Sequence, residues 1–138
     1  MNDLKTLTIL FRATHAFHEE IKKDVKNYGL SLSEFAVLEA LFHLGPLSAS
    51  SLKEKVLIAP SSMTYVMDQL ESKKLVFRSN PQQDQRMVML DLSIAGRELI
   101  EKSYPSHLSH MREKLDKLSP NEEIQLQNLL KKIGKNHD

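Results

Sequence analysis

Cysteine is absent from the 138 residues. Its absence excludes a disulfide framework, a thiolate zinc site and direct thiol-based redox sensing, and it suits a reducing compartment. No run of about 18 apolar residues occurs, so no segment reads as membrane-spanning. The opening residues, Met1-Asn2-Asp3-Leu4-Lys5, lack the basic start, apolar block and small-residue cleavage site of a secretory signal. The expected address is therefore the cytoplasm. Glycine is scarce, with four in the chain, and none sits in a phosphate-cradling loop. An excess of one charge is also missing, since the net charge is only +1. Residues 47–86 hold six cations (Lys53, Lys55, Lys73, Lys74, Arg78, Arg86) against four anions (Glu54, Asp68, Glu71, Asp84). That imbalance alone does not argue for a nucleic-acid partner.

What is present is helical periodicity. Leu4, Leu7, Phe11, Thr14, His18, Ile21, Val25 and Tyr28 recur at spacings of three and four, which predicts a long helix ending at Gly29. In a chain this short, a partner subunit is the natural cover for such a stripe. A second, strongly apolar helix is expected from about Ser33, read as its N-cap, to His43, with Gly45-Pro46 as the stop. Ser48 caps a short third helix. A fourth follows Ala59-Pro60, running from about Ser61 to Lys73, with Met63, Val66, Met67 and Leu70 inward. Its outer face carries Ser61, Ser62, Thr64, Tyr65, Asp68 and Gln69, small hydroxyls and amides where Lys and Glu usually dominate. Leu75–Arg78 and Arg86–Leu92 read as the two strands of a hairpin around a polar turn. A fifth helix spans Ser93 to about Asp116, with a kink expected at Pro105. The last begins at Ser119-Pro120-Asn121-Glu122, a capping box with proline at the first helical position.

Three helices followed by a two-stranded hairpin describe a winged helix-turn-helix. The expected fold is mainly α, a single domain over 1–138. Residues 47–92 form its DNA-reading unit, flanked by helices over 1–28 and 94–138. In such a unit the third helix enters the major groove and short polar side chains reach base edges. Ser61, Ser62, Thr64, Tyr65 and Gln69 are the candidates for that role. Arg78 and Arg86 are the cations of the wing, with Arg86 suited to a narrow minor groove or a phosphate. Asp84 is read as stiffening the turn beside Arg86.

Asp84-Gln85-Arg86 followed by Leu90-x-Leu92-Ser93-x-x-Gly96 resembles the wing and following helix start of the MarR family of bacterial regulators. Leu32-Ser33 with Val37-Leu38, and Met63-Thr64 with Asp68-x-Leu70-Glu71, resemble its second and recognition helices. Lys74 stands where that family often has glycine, and Tyr65 where arginine is frequent. The stretches Ser33–Glu39 and Leu57–Val66 also resemble quinone-responsive, cysteine-free members. The resemblance implies a homodimer, held together through the helices of 1–28 and 94–138, that binds a pseudo-palindromic double-stranded DNA operator. It further implies repression relieved by a small phenolic or aromatic inducer.

Phe35 and Glu39, four apart on the second helix, set a carboxylate beside an aromatic ring. With Phe11 and His107, if the family's arrangement holds, they would line a cavity suited to a phenol or hydroquinone. The pairs His15/His18 and His107/His110 raise the alternative of a metal-responsive repressor. Yet cysteine and a His-Glu-x-x-His run are missing, so no metal and no cofactor is expected. Ser50-Ser51-Leu52-Lys53 matches a Ser-x-x-Lys hydrolase motif without its supporting motifs, so no enzyme is expected. A helical protein-interaction adaptor without DNA binding is the reading from another class.

Overall fold

The computed structural model describes residues 3–56, 62–80 and 88–134. In chain order these form α1 (Lys5–Lys26), α2 (Leu32–Leu44), β1 (Leu47–Ser48), α3 (Ala49–Lys55), α4 (Met63–Ser72), β2 (Val76–Ser79), β3 (Met89–Leu92), α5 (Ile94–Leu115) and α6 (Pro120–Ile133). The expected winged helix-turn-helix is what the chain adopts, with helices α1, α5 and α6 flanking it.

Helix α2 is the hub. Phe35, Val37, Leu38 and Leu41 are buried on it, which is why its sequence is apolar on nearly every side. Val25 of α1, Leu52 of α3, the inward row of α4, Val76, Leu90 and Leu92 of the sheet and Ile100 of α5 close the core around it. Its N-cap is Ser31 and not Ser33. The Ser31 hydroxyl accepts from the Glu34 N–H at 3.1 Å, and the Glu34 carboxylate accepts from the Ser31 N–H at 2.7 Å. This reciprocal box requires an acid three residues after the cap, and Ser33 has none at that distance. Gly29 and Gly45, with φ of +74° and +83°, turn the chain after α1 and α2 in backbone conformations that favour glycine.

The sheet has three strands in the order β1-β3-β2, one more than the hairpin expected from sequence. Leu47 pairs with Leu90 and Ser48 with Met89, both antiparallel. Two residues carry no readable alternation; the open edge of β3 makes them a strand. Across β2 and β3, Val76 faces Leu92 and Arg78 faces Leu90. The buried Val76, Leu90 and Leu92 bind the wing base to the core.

Helix α5 is fixed to the sheet at its first turn. Ser93 caps it by accepting from the Gly96 N–H at 3.0 Å, and its hydroxyl donates to the Lys74 carbonyl at 2.7 Å. A Cβ on Gly96 would lie 1.9 Å from the Leu75 carbonyl oxygen, so the backbones touch where a side chain cannot fit. Pro105 lies within α5, which continues through it as one helix. Helix α6 starts as the sequence predicts, with the Ser119–Glu122 capping box and Pro120 in its first turn. It buries none of its side chains, and Ile124, Leu126, Leu129, Leu130 and Ile133 remain exposed. Leu4, Leu7, Ile9 and Phe11 at the start of α1 are exposed as well. No helix among the described residues is long and apolar enough to cross a membrane.

Candidate functional site

Helix α4 turns Met63, Val66, Met67 and Leu70 into the core, as the sequence predicts, and so presents Thr64, Tyr65 and Asp68 to solvent. Tyr65 is 63% exposed, a large aromatic ring at the front of the helix. Gln69 is half-buried at the edge of the same face. Ser62 is the N-cap, its hydroxyl accepting from the Tyr65 N–H at 3.2 Å. Its side chain therefore holds the start of the helix beside the exposed Thr64 and Tyr65. Ser61, Asp84 and Arg86 lie outside the described residues.

Arg78 is tied to α4. From β2 its guanidinium bonds Asp68 and lies 3.3 Å from the Glu71 carboxylate, both on α4. With its charge met by two carboxylates, Arg78 braces the wing against the helix. The back of α4 is tied to α2 by Lys73, which donates to Glu34 at 2.9 Å and to the Gly29 carbonyl at 3.0 Å. Burial pushes the Glu34 carboxyl up. The Lys73 hydrogen bond, the Ser31 N–H and the Lys73 charge more than offset this and hold it below its ordinary value.

Behind the helix-turn-helix lies a cavity of about 370 Å³. Ile21 of α1, Phe35, Ala36, Glu39 and His43 of α2, Lys55 and Val56 at the end of α3, and His107 of α5 line it. The structure thus brings Phe35, Glu39 and His107 together, with the Phe35 and His107 rings 4.5 Å apart. Phe11 is not brought to it: it is 63% exposed, on the half of α1 that extends past the core. Spacing placed Phe11 on the correct stripe, but the stripe outruns the chain's own packing. Glu39 has no hydrogen-bond or ion-pair partner among the described residues. A larger, shallower groove between α5 and α6 encloses about 470 Å³. Its charges are spent on one another, Arg112 lying 2.6 Å from both Asp116 and Glu123. The hydrogen bond from Arg112 holds the Glu123 carboxyl below its ordinary range.

One group at the site escaped sequence reasoning. Asp24 is buried, and His107 Nδ1 lies 2.9 Å and His110 Nδ1 2.7 Å from its two carboxylate oxygens. The signal available was an acid beside Val25 on the apolar stripe of α1, in a turn otherwise rich in lysine. No group of three or more His, Cys, Asp or Glu among the described residues has the arrangement of a metal site. In the Ser-x-x-Lys stretch, the hydroxyl of the motif serine, Ser50, lies 3.1 Å from that of Ser48, the cap of α3.

The sequence model of the MarR family matches residues 30–88, from the start of α2 into the wing. The HTH-type transcriptional regulator MhqR of Bacillus subtilis (strain 168) is 33% identical over 133 residues, 96% of this chain and 92% of that protein. A putative MarR-like transcription regulator from Bacillus cereus ATCC 10987 superposes with a TM-score of 0.85 at 24% identity, over 100% of this chain and 99% of that one. BpsR of Bordetella bronchiseptica superposes with a TM-score of 0.79 at 25% identity, over 94% of this chain and 98% of that one. Its DNA binding is regulated by 6-hydroxynicotinic acid. The family and these relatives are transcription regulators, not enzymes.

Proposed function

This chain belongs to the MarR family of DNA-binding transcription regulators, and from that premise we propose that it is a homodimeric repressor released from a pseudo-palindromic operator by a small hydroxylated aromatic molecule. Residues 47–92 are the reading unit, with Ser61, Ser62, Thr64, Tyr65 and Gln69 toward base edges. Arg86, stiffened by Asp84, makes the wing contact, and Arg78 sets the wing's angle on α4. Residues 1–28 and 94–138 are the dimerisation region. The apolar side chains exposed on the first half of α1 and along α6 support that assignment. A dimer seated across an operator excludes other proteins from that duplex in the cytoplasm, so release by a ligand reads as derepression.

The observation that carries this reading is the position of the cavity. It touches α1 and α5 on one side and Lys55-Val56, the last turn before the connection into α4, on the other. A ligand that fills it acts on the flanking helices and the reading head together. Phe35 and His107 supply an aromatic wall, Glu39 and His107 the polar contacts, and the volume suits a single-ring ligand.

A gel-shift titration with the DNA upstream of the chain's own coding sequence tests both halves. The protein is expected to bind that DNA well ahead of random competitor, and hydroquinone or 6-hydroxynicotinate to release it. Glu39→Ala is expected to weaken the release while DNA affinity holds. Binding no tighter than to random DNA would defeat the operator reading, and indifference to every hydroxylated aromatic would defeat the ligand reading.

A further inference from the structure

We propose that Asp24 is a positioning residue for the cavity: from α1 it holds the Nδ1 hydrogen of His107, and this leaves Nε2 as a lone-pair acceptor toward the ligand. The proposal rests on the reading of the cavity as a ligand site, and it narrows that ligand's chemistry.

Asp24 and His107 are both buried, and their contact joins α1 to α5 across 83 residues of sequence. A carboxylate only accepts, so the nitrogen facing it carries the hydrogen. His110, which is exposed, occupies the other oxygen at 2.7 Å, and the Tyr28 hydroxyl stands 3.5 Å from that oxygen. Both oxygens are thereby taken, and the carboxylate cannot turn away from His107. The ring is fixed a second time by Phe35 at 4.5 Å on the cavity side. Nε2 has no partner among the described residues, yet it is not among their enclosed, unpartnered polar atoms. His107 meets open space at the cavity, so the free nitrogen is available there.

With the hydrogen on Nδ1, the neutral ring leaves Nε2 as an acceptor. Glu39, without a hydrogen-bond or ion-pair partner among the described residues, is a second acceptor on the wall when ionised, beside His43 and the cation Lys55. The two acceptors favour a ligand that donates to them: a ring hydroxyl or N–H in preference to an ether. Asp24 thus determines specificity without touching the ligand.

The test pairs a spectrum with a binding ratio. In ¹⁵N-labelled protein at neutral pH, His107 is expected to show a hydrogen-bearing Nδ1 and a hydrogen-free Nε2. The variant Asp24→Asn is expected to shift that pattern, because the amide must offer one histidine a donor. By calorimetry, phenol is expected to bind the wild type about fivefold more tightly than anisole, the factor one ordinary hydrogen bond is worth. In Asp24→Asn that ratio is expected to fall toward one while anisole binding holds. A wild-type His107 with hydrogen on Nε2 overturns the proposal whether or not the variant folds. A phenol preference unchanged in a folded Asp24→Asn overturns it too. Failure of both phenol and anisole to bind is a separate result, which defeats the cavity as a ligand site and with it the specificity drawn here.

Discussion

Lys74 carries φ of +62° in the turn between α4 and β2, a conformation that costs a side-chain-bearing residue about 1 kcal/mol or more. It is kept there from both sides, its N–H donating to the Glu71 carbonyl at 2.9 Å and its own carbonyl accepting from Ser93. Both contacts use backbone atoms, so Lys74→Gly retains them and removes the strain. Glycine's greater freedom in the unfolded chain offsets part of that gain, and a net stabilisation of about 0.5 kcal/mol is expected. Thermal melts decide it, and a lowered midpoint would contradict the strain. Glu34 gives a second test at this scale. Its carboxyl is held below its ordinary value near 4.5, so its contribution is complete above that value and is lost as pH falls through the lowered one. Glu34→Gln keeps the oxygen that accepts from Ser31 and removes only the charge facing Lys73. At pH 7 it is expected to cost about 1 kcal/mol, the order of a partly exposed pair. Melts repeated down to pH 3 should show the gap between wild type and variant closing below about pH 4.5. A gap constant with pH would mean that the ion pair contributes nothing.

Among the elements, the junction of α5 with the sheet is the least tolerant. In an ordinary helix, glycine to alanine stabilises by about 1 kcal/mol. Gly96→Ala must reverse that sign, because the new methyl meets the Leu75 carbonyl, and overpacking against backbone should cost about 2 kcal/mol net. Arg97→Ala, one residue on and exposed, should stay within about 0.5 kcal/mol. Stability equal in the two variants would show that α5 does not rest on the Leu75 backbone as described. Elements such as α4 and α6 were legible in the sequence because their signals are local. Four inward residues at helical spacing define α4, and one capping box with proline starts α6. Ser31 was missed although its partner Glu34 lay in plain view, because Ser33 stood nearer the apolar run. Strand β1 could not be read, since pairing with β3 creates it. The site divides in the same way. Phe35, Glu39 and the exposed face of α4 follow from periodicity within one helix. The Arg78 brace and the Asp24–His107 contact depend on how separate elements meet, and spacing along one element does not encode that.

For the whole molecule, the open question is what covers α6 and the first half of α1. Helix α6 is well specified locally, by its capping box and by the Arg112–Glu123 pair that sets its departure from α5, yet its apolar row lies bare. A helix with that stripe is held in a fold mainly by what covers it. A second copy of the same stripe is self-complementary under two-fold symmetry, the usual form of a closed dimer. Sedimentation equilibrium is therefore expected to give twice the chain mass of 15.8 kDa. Leu129, 58% exposed near the middle of α6, is the position to break it. Leu129→Glu places a charge in the covered stripe and should yield a folded monomer by circular dichroism. Asn128→Glu, which adds the same charge at the adjacent exposed position outside the apolar row, should leave the dimer intact. Losing the dimer removes the second reading head, and linked heads gain a factor on the order of 100 or more over one alone. Operator affinity of Leu129→Glu should therefore fall by at least about 100-fold, while its weak binding to random DNA changes far less. A Leu129→Glu protein that remains dimeric would move the interface away from α6. One that becomes monomeric yet keeps full operator affinity would show that a single winged helix suffices, which would overturn the two-headed reading of the operator.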